Sequence, residues 1–146
     1  WMTTPGVTLS GNGTCSIKNG YLQSSNEFYP SLRLKINLNV ASDGVQEWGF
    51  KGSDSWIFFQ YNGTLCAKVK NPQGEQFSRN IELLTGPHIY EIEWVGGISP
   101  KARFYRDGNT VAIIENNVPS GPLSMFFSQS STVSFLRLYS ISLEAI

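Results

Sequence analysis

The groups in this chain with reactive potential are a few carboxylates, one histidine, two cysteines and a large set of aromatic rings. Glu91 and Glu93 come nearest to a paired acid, because residues i and i+2 of a strand share one face. His88 has no second histidine beside it, and no Ser or Cys sits in a recognisable nucleophile motif. A catalytic triad therefore has no basis, and a single histidine does not build a transition-metal site. Asp43, Asp54 and Asp107 each lie in a turn beside Gly or Ser. Their hard oxygens suit Ca²⁺, while the same positions favour Asp for local backbone hydrogen bonds. Cys15 and Cys66 are too far apart for a zinc motif. Two readings stay open for them, one disulfide or two separate buried thiols.

Aromatic residues are the other resource: four Trp, six Tyr and nine Phe. A sugar presents apolar C–H faces, so its sites offer a ring flanked by amides and carboxylates. Phe58, Tyr90, Trp94, Phe104 and Phe126 lie in phase with other apolar residues and are expected in the core. Trp48 and Trp56 flank the polar turn Lys51-Gly52-Ser53-Asp54-Ser55. A groove of Trp48, Trp56 and Tyr61 with Gln46, Gln60 and Arg103 is the candidate ligand site. The alternative is that both tryptophans fill the interior.

These residues must be positioned by strands. No window carries a sustained 3.6-residue apolar stripe, and period two dominates. Over residues 31–41, Leu32, Leu34, Ile36, Leu38 and Val40 alternate with Arg33, Lys35, Asn37 and Asn39, the pattern of a half-buried strand. Further strands are expected over 7–10, 15–18, 21–24, 46–51, 56–61, 65–70, 76–84, 89–95, 101–105, 111–115, 123–128 and 133–143. Turn signals separate them, with Asp107-Gly108 the strongest hairpin chemistry. So many short strands at regular spacing predict a sandwich or barrel.

The 146 residues suffice for one domain with a real core. Charged residues make up 15%, and eleven basic side chains balance eleven acidic ones, with no basic stripe. Nucleic-acid binding and charge-driven membrane binding are accordingly not expected, nor does any apolar run reach bilayer-spanning length. Asn12-Gly13-Thr14 and Asn62-Gly63-Thr64 are N-glycosylation sequons. Together with the neutral polar composition they suggest an extracellular, cell-surface or virion-surface location. The opening at Trp1 suggests a module of a larger protein, with neighbouring domains as partners.

Several stretches carry a resemblance. His88 to Trp94 (HIYEIEW) followed by Phe104-Tyr105-Arg106-Asp107-Gly108, the run Trp56-Ile57-Phe58-Phe59 with the strand after it, and Ser134-Phe135-Leu136-Arg137-Leu138-Tyr139-Ser140 are similar to the concanavalin A-like lectin/glucanase superfamily. That superfamily includes laminin-G-like modules and laminarinase-type hydrolases. The likeness spans roughly Asn37 to Leu143. It implies an all-β, antiparallel jelly-roll sandwich whose first and last strands lie side by side. It also implies that Tyr90, Ile92 and Trp94 point inward, which leaves Glu91 and Glu93 facing water, and that His88 is structural.

Laminarinase-type members use a Glu-x-Asp-x-Glu strand, and retaining hydrolysis needs carboxyls about 5–5.5 Å apart. No such motif occurs here. The expectation is a non-catalytic carbohydrate-binding or adhesion module, with a glycan or surface protein as partner. A structural or assembly domain of a surface, pilus, fibre or coat protein is the alternative, ahead of a hydrolase with an atypical carboxylate pair. No cofactor is expected, with calcium left open at Asp43, Asp54 and Asp107.

Overall fold

The computed structural model describes residues 1–78 and 80–146. The chain folds into two seven-stranded antiparallel sheets with no helix among the described residues. The first sheet runs, edge to edge, through β1 (Met2–Thr3), β4 (Gly20–Phe28), β13 (Leu123–Gln129), β6 (Gln46–Lys51), β7 (Trp56–Tyr61), β8 (Leu65–Asn71) and β9 (Gly74–Phe77). The second runs through β12 (Asn109–Ile114), β11 (Lys101–Arg106), β10 (Pro87–Val95), β5 (Leu32–Asn39), β14 (Leu136–Ala145), β3 (Cys15–Ile17) and β2 (Val7–Leu9). This is the all-β antiparallel jelly-roll sandwich that the resemblance implied, where the alternation predicted a sandwich or barrel.

Period-two alternation fixes what each sheet buries. Leu34, Ile36 and Leu38 of β5 are fully buried, as are Ile92 and Trp94 of β10. Aromatic rings from the two sheets interlock between them. Trp48 and Phe59 of the first sheet meet Tyr90 of the second edge-on, each with ring centroids 5.1 Å apart, and Phe59 meets Phe104 at the same separation. Such pairs contribute about 0.5–1.5 kcal/mol each beyond the area they bury. Gly49, in the middle of β6, holds φ at +152°. A Cβ there would lie 2.4 Å from the Ile57 carbonyl oxygen, so β7 can approach only because the position is glycine.

The structure corrects several expectations. The strand expected over 76–84 shrinks to the end of β9, with Ile81 making only an isolated bridge to Leu65. Position 79 within that stretch lies outside the described residues. The last strand pairs an early one, β3, as well as β5, but β1 itself pairs β4 in the other sheet. Asp107 and Gly108 both adopt positive φ at the hairpin joining β11 to β12, as two-residue turn chemistry demands.

Cys15 and Cys66 are both free thiols. Cys15 belongs to the buried core on β3, whereas Cys66 on β8 points out of the other sheet towards solvent. The layers of the sandwich therefore separate the two sulfurs, and the disulfide reading is ruled out in this fold. Burial raises both thiols above their ordinary pKa.

Candidate active face and ligand site

The outer face of the first sheet gathers most of the chemistry. On β7, Ile57 and Phe59 are drawn into the core, so Trp56, Phe58 and Gln60 must face outward. By the same parity Met125 and Phe127 turn in, leaving Phe126 out. Strand register then assembles three tiers. Tyr21, Ser128, Glu47, Gln60 and Cys66 make the first. Gln23, Phe126, Gly49, Phe58, Lys68 and Phe77 make the second. Glu27, Ser124, Lys51, Trp56, Lys70 and Glu75 make the third.

Rings and charges interleave across these tiers. Trp56 stacks on Phe58 with centroids 5.7 Å apart, and Tyr21 stacks on Phe126 at 5.8 Å. The Lys51 ammonium sits between the two pairs, 4.7 Å from the Phe126 centroid and 5.6 Å from that of Phe58. It donates to Glu47 at 2.9 Å, and Gln60 donates to the other Glu47 oxygen at 3.0 Å. Trp56 Nε1 donates to Glu75 at 3.0 Å while Lys70 covers its ring at 5.1 Å. Phe58 is buried to 3% exposure although it lies outside the core cluster, because these neighbours close over it. The expectation that Phe58 and Phe126 belong to the core is thus corrected. Both are outward rings.

Of the six residues proposed for a ligand site, the fold brings together two. Trp56 and Gln60 share this outer face. Trp48 is fully buried against Phe59 and Tyr90. Gln46 is also fully buried, where its amide bridges Ala41 and the Asp43 carbonyl and so staples the loop between β5 and β6. Tyr61 packs against the core and reaches the Ser42 carbonyl at 3.4 Å. Arg103 belongs to the opposite sheet. The reason is the same for Trp48 and Tyr61: each is an odd number of positions from the outward residues on its own strand. Sequence reasoning missed Glu47, Lys51, Phe58, Phe126 and Tyr21, and the parity of Ile57, Phe59, Met125 and Phe127 was the signal that could have found them.

The second sheet has its own charged patch. Glu93 faces outward, as expected, but does not face water. It accepts from Tyr105 Oη at 2.8 Å and from Arg103 at 3.3 Å, with Arg33 at 3.5 Å, and is 7% exposed. Burial pushes its carboxyl up, and the Tyr105 and Arg103 hydrogen bonds with both guanidinium charges outweigh this, so the net shift is downward. His88 is held by Asp107 at 2.7 Å and by the Thr85 carbonyl at 2.9 Å. Asp107 also accepts from the Ile89 N–H, which together with His88 lowers its carboxyl.

The three calcium candidates lie in three different turns. Asp43 is occupied by Ser131, whose hydroxyl donates at 2.9 Å, Asp54 by Ser55, and Asp107 by His88 and Ile89. Among the described residues no group of three metal-ligating side chains comes together.

Superposition on solved structures places this geometry. A β-1,3-1,4-glucanase (lichenase) derived from a mouse hindgut metagenome overlays with a TM-score of 0.74 at 13% identity, covering 97% of this chain and 84% of the other. The carbohydrate recognition domain of Emp47p overlays at 0.74 with 10% identity, covering 99% and 88%. The chain has the concanavalin A-like lectin/glucanase fold. The β-glucanase of Bacillus licheniformis overlays likewise, at 0.71 with 13% identity, covering 97% and 82%. At these identities the likeness is one of fold. No protein-family model and no curated protein matches the sequence.

Proposed function

We propose that the chain is a non-catalytic carbohydrate-binding or adhesion module of an extracellular or surface protein, and that the glycan lies on the outer face of the first sheet. The observation that carries this reading is the set of accessible outward rings, Trp56, Phe126 and Tyr21, with the covered Phe58 stacked beneath Trp56, interleaved with Glu47, Gln60 and Lys51. Rings that cover the apolar faces of sugars, beside groups that bond their hydroxyls, are what glycan recognition requires. The proteins it superposes on include a lectin domain and glucanases, so the same fold serves recognition and hydrolysis.

The non-catalytic half of the proposal rests on Glu47. Four residues along the same strand face stands Lys51, which forms an ion pair with it. Retaining hydrolysis needs a second carboxyl about 5–5.5 Å away, and the outward positions that follow Glu47 on that strand hold Gly49, which has no side chain, and Lys51, a cation. The surface location is supported by Asn12 and Asn62, both exposed in open turns.

A glycan array with the isolated protein tests the proposal. Saturable binding lost in Trp56→Ala is the expected result. Absence of any binding, together with self-association, would move the reading to an assembly domain. Release of reducing sugar that Glu47→Gln abolishes would make the chain a hydrolase.

A further inference from the structure

Beyond Gln60 and Lys68, towards β9, the outer face sinks into a pocket of about 340 Å³. It is lined by residues from β7, β8 and the segments around them, Lys68, Gln60, Cys66, Thr64, Asn62 and Asn80, with Phe77 at its wall. Among the described lining residues there are one cation and several neutral hydrogen-bonders, and no carboxylate. The volume falls within the range of small-molecule sites, roughly 300–1,000 Å³. Phe77 is 47% exposed and presents a ring at its wall.

We propose that this pocket is a subsite for an acidic sugar residue, whose carboxylate or sulfate is met by Lys68. The inference rests on the reading that the outer face binds a glycan, and it names the class of that glycan. Lys68 is the cation that lines the pocket, and its ion pair is loose. Its carboxylate neighbour, Glu75, stands 4.0 Å away and gives its other oxygen to Trp56 Nε1. Lys51, by contrast, is held by Glu47 at 2.9 Å.

Lys70 reinforces the field. It lies two residues along β8 on the same face, and among the described residues no carboxylate forms an ion pair with it. Its ammonium instead donates to the Asp54 backbone carbonyl and covers the Trp56 ring. Among the described residues Lys68 thus has one carboxylate, that of Glu75, within ion-pair distance, and Lys70 has none. An anionic group in the pocket completes that balance through a charge-assisted bond, which is stronger than a neutral one. Tier order makes the pocket continuous with the rings, because Phe58 is the cross-strand neighbour of Lys68 and Gln60 that of Cys66. A chain of sugars that starts on the half-buried Trp56 ring therefore reaches it across the covered Phe58.

The test is titration calorimetry with matched oligosaccharides that differ only in charge. One arm sets oligogalacturonates against their methyl esters; the other sets sulfated galactan oligomers against desulfated ones. Wild type is expected to prefer the acidic member of at least one arm by about tenfold at low salt, and the arms identify which anion is read. Lys68→Gln should remove the preference, bringing the acidic and neutral members to equal affinity, and raised salt should shrink the preference of wild type. Trp56→Ala should weaken both members together.

Equal affinity for both members in wild type would overturn the inference and leave the glycan reading standing. So would a preference that survives Lys68→Gln. Acidic binding lost in Lys68→Gln but indifferent to Trp56→Ala would uphold the pocket and overturn the ring face. If no oligosaccharide of either arm binds, the pocket is not an acidic-sugar site.

Discussion

Two tryptophans eight positions apart have opposite roles, and that is the sharpest statement available at the scale of single residues. Trp48 is enclosed by Phe59 and Tyr90, so Trp48→Ala should cost about 3–5 kcal/mol, read by chemical denaturation. Trp56 stacks on Phe58 at the surface, so Trp56→Ala should cost about 1 kcal/mol while removing glycan binding. A variant pair in which both behave alike would contradict the parity of β6 and β7. Trp56 and Gln60 were proposed as ligand groups from their types, and both lie on the outer face. The inward face of β7 was not legible, because the run from Trp56 to Tyr61 is apolar on both faces. Only the partner strands settle it: Ala67 and Val69 of β8 are buried opposite Phe59 and Ile57.

At the scale of strands, β10 shows how an acid is retained on a sheet surface. Glu93 is braced by β5 through Arg33 and by β11 through Arg103 and Tyr105. Replacing it by Ala strands those donors and should cost roughly 1.5–3 kcal/mol in the same denaturation experiment. Its pKa is lowered in the folded state, as is that of Asp107 at the end of the next hairpin. In the unfolded chain both titrate in the ordinary range, near about 4. Their stabilisation is therefore complete above that range and is lost as pH falls through the lower folded values. Melting temperature should drop from neutral pH towards about pH 3, and Glu93→Gln should flatten part of that drop.

Most strands were readable from alternation, and β6 and β7 were placed to the residue. The solvated face expected for Glu93 was not readable, because Arg33, Arg103 and Tyr105 reach it from strands 60, 10 and 12 residues away. The short β1 escaped notice for a related reason. Two residues carry no period, and only pairing with β4 makes them a strand.

Taken as a whole, the molecule holds its two layers together with no disulfide between Cys15 and Cys66. With Cys15 inside the sandwich and Cys66 outside it, a reducing agent should leave the unfolding midpoint unchanged, and two thiols should titrate once the chain is denatured. A midpoint that falls on reduction would contradict the placement of β3 and β8. The separation was invisible in sequence, where spacing alone left both pairings open. It follows from topology, since β3 lies near one end of the second sheet and β8 near the opposite end of the first.

The distribution of the indoles also gives the protein two optical populations. Trp48 and Trp94 are sealed inside, while Trp56 is half-buried at the surface and Trp1 is 56% exposed. A water-soluble quencher such as iodide reaches the second pair and not the first. Occupation of the ring face would shield part of the quenchable emission without disturbing the rest, so an unlabelled sample can report saturation and global unfolding as separate signals in one cuvette.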